Sequence, residues 1–391
     1  MAGLDRRRLL HGSAILGGMH LSGCAMSPDQ GTPDAQPVPP LAPVRAEIDR
    51  LSNITVCSRP FRAAGPRLDT ERVGDALVVH NYGHGGSGWS LSWGSSAIAV
   101  EQAMAGSPRE VAVVGCGALG LTSAVLARRA GARVTIYARE PLPDTRSAHA
   151  TGLWSPDSRV AGDSARLSGF AATWERMARV SFQTHRQYLG QAGDPVAWTD
   201  FYVLGNMLGD VAATSPGFFH AGDTIQDLVP RPTLIPRGLS PFPTAYAWRS
   251  RWMMFNIAAY GRALMTEFVA AGGEIQRREF HAPGELAGLR EKVVINCPGY
   301  GARALWGDAT VTPVRGQNGW LTAQPEVTYG FVSPTVLMLS RRDGIVVQAT
   351  DGGDMKGFND ASETPDRAEA ITAVNAVAGL CAGFRQPGAR A

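Results

Sequence analysis

The apolar run Val111-Ala112-Val113-Val114 passes directly into Gly115-Cys116-Gly117-Ala118-Leu119-Gly120. A continuous β-branched run is what a parallel strand buried on both faces requires. Residues 121–130 then read as a helix, Gly131 ends it, and Arg133-Val134-Thr135-Ile136-Tyr137 reads as a second strand. The glycines therefore stand as GxGxxG between a strand and a helix, inside a unit of about 30 residues, which is the setting of a dinucleotide-binding turn. Gly115 permits the tight turn, Gly117 lets the backbone approach a pyrophosphate, and Gly120 lets helix and strand pack closely. The helix N-terminus adds unpaired N–H groups and a partial positive charge for the phosphates.

The second strand ends in Ala138-Arg139-Glu140. Glu140 is placed to hold a ribose hydroxyl and Arg139 to lie near the adenosine phosphate. This pattern serves NAD and FAD equally and does not separate them.

The rest of the composition limits the alternatives. The chain has 391 residues, room for about two or three domains. With 37 basic and 34 acidic residues, the net charge of +3 gives no reason to expect a nucleic-acid partner. Cys24, Cys57, Cys116, Cys297 and Cys381 form no CxxC and no metal-like spacing, so no metal site and no disulfide framework is expected. No apolar run has the length of a membrane-spanning helix.

The N-terminus reads as an address. Arg6-Arg7-Arg8-Leu9-Leu10 precedes an apolar stretch that ends at Leu21-Ser22-Gly23-Cys24. The first motif resembles a twin-arginine export signal and the second a bacterial lipobox, with Asp5 a mild departure from the former. The resemblance implies a signal over residues 1–23, export in folded form, and a lipid on Cys24 that anchors the protein to a membrane on the periplasmic or surface side. Residues 24–45 hold Pro28, Pro33, Pro37, Pro39, Pro40 and Pro43 and read as a tether.

Two further stretches carry a family resemblance. Val79-His80-Asn81-Tyr82-Gly83-His84-Gly85-Gly86-Ser87-Gly88-Trp89 precedes the nucleotide turn, and Gly152-Leu153-Trp154 follows it. With residues 115–120 they resemble the D-amino-acid oxidase family of FAD enzymes. Val294-Ile295-Asn296-Cys297-Pro298-Gly299, Pro313-Val314-Arg315-Gly316-Gln317 and Ser58-Arg59-Pro60-Phe61-Arg62 resemble further segments of that family. The order differs from the family's, in which the Arg-Pro segment and the His-Asn-Tyr-Gly loop close the chain. Here residues 46–105 come first, which implies a circular permutation joined through Ala105-Gly106-Ser107-Pro108-Arg109. Surface termini that lie close together tolerate such relocation.

The resemblance implies an α/β fold: a Rossmann-like FAD-binding domain (46–157, 251–319 and 351–391) and an antiparallel-sheet substrate domain (158–250 and 320–350). It implies FAD as cofactor and oxidation of a D-amino acid or related amine. Hydride transfer to the flavin would give an imino acid that hydrolyses to a 2-oxo acid and ammonia, with dioxygen or a membrane quinone taking the electrons. Arg59 would fork onto the substrate carboxylate, and Gly86 would offer its carbonyl to the amine. Gly85, Gly86, Ser87, Gly88, Trp89 and Ser90 would approach the flavin ring, and Arg146, Ser147, Gly152 and Leu153 would sit near the pyrophosphate and the ring. His80 and His84 are expected to be structural.

The sequence also departs from that family. A substrate-contacting Tyr is replaced by Leu337, with Tyr329 the nearest tyrosine; an expected Gln is Ser155; an expected Gly-Gly is Gln348-Ala349. The cofactor cradle is thus kept better than the substrate pocket. An FAD-binding protein of this fold with altered substrate or lost turnover is the alternative reading, and an NAD-dependent dehydrogenase is disfavoured by the glycine loop at 83–88.

Overall fold

The computed structural model describes residues 38–206 and 217–384. The signal motifs and Cys24 lie outside them. In chain order the elements are β1 (Leu51–Phe61), β2 (Thr70–Val73), β3 (Ala76–His80), α1 (Gly88–Met104), β4 (Glu110–Val114), α2 (Ala118–Arg129), β5 (Arg133–Ala138), α3 (Phe170–Arg186), β6 (Val196–Gly205), β7 (Thr233–Leu234), β8 (Tyr246–Phe255), α4 (Ile257–Ala270), β9 (Glu274–Arg277), β10 (Val293–Asn296), α5 (Ala302–Leu305), β11 (Thr312–Leu321), β12 (Tyr329–Val332), β13 (Val336–Arg341), β14 (Gly344–Ala349) and α6 (Arg367–Ala382).

One sheet has the order β2-β3-β10-β4-β5-β9. β3, β10, β4, β5 and β9 run parallel, and β2 is an antiparallel edge. Its inner strands β3, β10, β4 and β5 are buried on both faces, as their continuous apolar runs require, while the edge strands β2 and β9 are partly or wholly exposed. Val79, Val111, Val113 and Ile295 point into a core shared with α1, α2, α3 and α4. Val78, Ala112, Val114 and Val294 fill a second core on the opposite face. α2 follows β4 where the glycine turn places it, and the sequence-read helix at 121–130 begins three residues earlier, at Ala118.

The second sheet has eight strands in the order β1-β11-β14-β13-β12-β6-β8-β7. It is mixed and not wholly antiparallel, because β12 and β6 pair in parallel. Alternation sorts its side chains. Leu337, Leu339 and Val346 face a front cluster with Leu153 and Trp252, while Met338, Ile345 and Val347 face a back cluster capped by Val374 and Val377 of α6.

The elements divide between the sheets differently from the sequence reading. β1, β8 and β11 belong to the eight-stranded sheet, and α6 packs on its back. α3 joins the core of the nucleotide-binding layer. Val38, Val44 and Ala46 are buried in the back cluster, so the last part of the proline-rich stretch is docked.

Residues 51–104 complete both sheets. β1 pairs with β11 from Leu51↔Leu321 to Phe61↔Thr312, and β3 lies along β10 with His80 beside Asn296. The chain between α1 and β4 is a short turn in which Ser107 takes a left-handed φ of 48°.

Candidate active site

A cavity of about 870 Å³ runs between the two sheets, within the size range of ligand sites. Arg139, Glu140, Arg278 and Phe280 line one end, and Arg59, Trp252, Leu337 and Gln348 line the other. Between them lie the glycine turn at 115–119, the segment 145–155 and the glycine loop at 83–90. The loop that precedes the nucleotide turn in the sequence thus meets it in space.

The turn is as tight as its glycines allow. Gly115 has φ +100° and lies against the Cys297 carbonyl, where no Cβ fits, and a Cβ on Gly120 would strike the Gly115 carbonyl. A Cβ on Gly117 would come within 2.6 Å of Ser147 Oγ. That hydroxyl accepts a hydrogen bond from Ala118 N at 3.1 Å, so Ser147 sits at the N-terminus of α2 beside the phosphate cradle. Glu140 and Arg139 pair with each other at 3.2 Å. Arg146 pairs with Glu363 and lies 5.6 Å above the Tyr300 ring.

A buried polar network pins the glycine loop. Asn81 Nδ2 donates to Ser96 Oγ and Ser123 Oγ at 3.3 and 3.1 Å, and Ser95 Oγ donates to Asn81 Oδ1 at 2.6 Å. Since the Ser95 proton is committed, its oxygen accepts from His84 Nε2 at 2.7 Å, which leaves Nδ1 unprotonated. Burial lowers the His84 pKa to about 3, consistent with that neutral tautomer. His80 likewise donates from Nε2 to Glu71 at 3.0 Å and accepts at Nδ1 from Asn296 at 3.0 Å. Trp89 Nε1 ties the start of α1 to the Ser147 carbonyl at 2.8 Å.

At the other end the eight-stranded sheet supplies the floor. Arg59 makes no salt bridge with a carboxylate among the described residues, Asp354 acting on it only at longer range, and its one hydrogen bond is a long contact of 3.4 Å from Nη1 to the Arg315 carbonyl. Burial lowers its pKa, but a guanidinium keeps its charge. Its head group lies flat on Gly316, with no room for a Cβ there. An unpaired cation on a cavity floor is a ready site for a carboxylate. Arg159 is also at the cavity, lowered to about 10 by burial and by Arg59, yet it is committed to Asp354 at 3.3 Å and to the Gly353 and Asp354 carbonyls.

Of the residues expected to hold a cofactor, Gly85, Gly86, Gly88, Trp89, Ser90, Gly115, Gly117, Ala118, Arg139, Glu140, Arg146, Ser147, Gly152 and Leu153 line the cavity, as does Arg59. Ser87 does not; its hydroxyl is 3.0 and 3.1 Å from the carbonyls of Ser155 and Ser158. Gly120 does not either, serving helix–strand packing. Tyr329 lies on the back of the sheet and donates to the Ala42 carbonyl at 2.8 Å. Sequence reasoning assigned no role to Thr151, Asn318, Gln348, Trp252 or Arg159, which no local motif marks.

A nucleotide turn, a long cavity and a floor of strands on which Arg59 has no salt-bridge partner among the described residues mark the chain as a dinucleotide-binding protein of the α/β class. The chain belongs to the DAO family, FAD dependent oxidoreductases, whose model matches residues 110–386. It is 30% identical to a D-amino-acid oxidase of Streptomyces coelicolor over 243 residues, 59% of this chain and 68% of that one. It is 31% identical to a D-amino-acid oxidase of Rubrobacter xylanophilus over 205 residues, 52% of this chain and 57% of that one. Among solved structures, glycine oxidase from Geobacillus kaustophilus aligns with a TM-score of 0.49 at 12% identity, covering 70% of this chain and 78% of that one.

The cavity fits FAD. It extends from the second parallel strand, past the helix N-terminus, to the glycine loop. Among the described residues no group of His, Cys, Asp and Glu could hold a metal.

Proposed function

We propose that this protein oxidises a D-amino acid or a related amine with FAD. The carrying observation is the unpaired Arg59 on the same cavity wall as Gln348 and Leu337, facing the glycine loop. When bound, FAD would accept the hydride from the substrate carbon. Arg59 holds the carboxylate and so fixes which face of the substrate is presented. The Gly86 carbonyl would receive the amine, and the glycine loop would lie against the ring, its Gly86 and Ser87 N–H groups being held by the Ser158 and His84 carbonyls. Trp252, Leu337 and Leu153 keep water from that end. The imine product hydrolyses to a 2-oxo acid and ammonia, and dioxygen or a membrane quinone removes the electrons.

The chain order is read as a circular permutation. In support, the family match begins at residue 110, while residues 51–104 before it supply β1, β3 and the glycine loop to the same two sheets and cavity. The N-terminal motifs support export by the twin-arginine route and lipid attachment at Cys24, and Cys24→Ser should release the protein from the membrane fraction.

A second reading, an FAD-binding protein without turnover, is favoured by Leu337 alone. One experiment separates them. The purified full chain is examined for flavin absorbance and then given D-amino acids without oxygen. Bleaching is the expected result. A yellow protein that no amine bleaches supports the second reading, and a colourless protein overturns both.

A further inference from the structure

We propose that Gln348 is a substrate-binding residue that donates a hydrogen bond to the carboxylate held by Arg59. This rests on the amino-acid reading of the cavity. β13 and β14 pair so that Leu337 lies directly opposite Gln348. Two positions at which the sequence departs from its family pattern are therefore facing partners. A shorter apolar side chain on one strand leaves space that the longer amide on the other fills, and the polar group returns to the site from the neighbouring strand.

The amide is held, not merely present. Thr151 Oγ1 lies 3.1 Å from Gln348 Oε1 and 3.3 Å from Asn318 Oδ1. Asn318 is itself fixed by donation from Nδ2 to the His149 carbonyl at 2.8 Å. The Thr151 backbone is clamped from below by buried Arg341, whose Nη1 donates to the Ala150 and Thr151 carbonyls at 3.0 and 3.1 Å. Arg341 is in turn paired with Asp343 at 2.6 Å. With its oxygen taken by Thr151, Gln348 presents its two N–H groups, which have no partner among the described residues, to the cavity it lines. Leu337, Leu153 and Trp252 around it offer no side-chain acceptor.

The spacing suits a carboxylate. The Arg59 guanidinium covers Gly316 on β11, and Gln348 stands one strand over, beside Asn318. One strand spacing and a two-residue step amount to about 8 Å. That backbone spacing leaves a carboxylate room to sit between the two side chains, with a hydrogen bond of ~2.9 Å to each donor. The guanidinium carries the charge, and the amide fixes the second oxygen. Thr151 is a positioning residue acting through Gln348.

The test uses the flavin-loaded full chain and its Gln348→Leu, Gln348→Glu and Thr151→Val variants. Binding of a 2-oxo acid, which needs no turnover, is measured by calorimetry, alongside KM, kcat and flavin content. Gln348→Leu should weaken 2-oxo acid binding and raise KM by ~10-fold or more with flavin content unchanged, as expected for loss of a hydrogen bond to a charged group. Gln348→Glu should weaken both further by charge repulsion. Thr151→Val should raise KM by roughly 3-fold while kcat holds, a split that a purely structural role would not give. Unchanged 2-oxo acid binding in Gln348→Leu, or tighter binding in Gln348→Glu, overturns the assignment. If no D-amino acid reduces the wild-type flavin, the activity reading fails on its own, and the 2-oxo acid titration still decides Gln348.

Discussion

The Arg59 guanidinium rests on the backbone of Gly316, two strands that pair with Arg59 opposite Val314 and Cys57 opposite Gly316. The absence of a side chain on β11 is what lets the cation lie down toward the centre of the sheet. Any Cβ at 316 would push it off the floor. Gly316→Ala should therefore raise KM for carboxylate substrates on the order of 10-fold, and Arg59→Ala on the order of 100-fold, since the latter also removes the charge. Both should keep their flavin. Steady-state kinetics with flavin absorbance check this, and an Arg59→Ala enzyme with unaltered KM would remove Arg59 from the site.

The phosphate end makes a different demand. A Cβ on Gly117 would approach Ser147 Oγ at 2.6 Å, while that oxygen caps Ala118 N. Gly117→Ala should thus lower flavin content by displacing Ser147, and Gly117→Ala/Ser147→Ala should recover part of it by making room. Flavin released per chain on denaturation measures both. A double variant no better than the single one would mean that the loss comes from the approach of backbone to pyrophosphate and not from Ser147.

Tyr329 separates the two faces of the eight-stranded sheet. It is buried on the back, with its hydroxyl on the Ala42 carbonyl, and so cannot stand in for the tyrosine missing at 337. Tyr329→Phe should cost about 1 kcal/mol of stability through one lost hydrogen bond and leave KM unchanged. Denaturant unfolding and kinetics on the same preparation test it. A raised KM with unchanged stability would contradict this placement.

These cases mark where the sequence was informative. The nucleotide turn was legible because each of its glycines answers a local steric need, and the β-branched run fixed the strand before it. The glycine loop and the Arg59 segment were legible only through resemblance. Nothing in their spacing says that they meet the turn across the sheets. The face of Tyr329 was not legible, since its four-residue strand β12 is buried on both sides and gives no alternation. Gln348 was visible as a departure, but its meaning came from the β13–β14 register, which is non-local. The placement of α3 against α1 was missed for the same reason: its apolar face predicts burial but not the partner.

Buried histidines give the last prediction. Burial lowers His84 and His185 each to about 3, and lowers His80 as well, with Arg67 adding to the effect and Glu71 opposing it. Unfolded, each would titrate near 6.5. Above about pH 6.5 neither state binds these protons and the native state has its full stability from them. As pH falls from there, the unfolded chain takes up protons that the native chain refuses, so stability declines. Asp157, raised by burial, acts with the opposite sign, but a carboxyl exerts that effect from the acid end of the range. The melting midpoint should therefore fall between about pH 7 and pH 5, a window above the ordinary carboxylate range. His185→Gln should flatten that slope even though it lowers the midpoint at neutral pH by breaking the 2.8 Å contact with the Tyr260 hydroxyl. Scanning calorimetry across the range decides it. A slope unchanged in His185→Gln would mean that His185 takes up its proton over the same pH range in the native protein as in the unfolded chain, contrary to its burial.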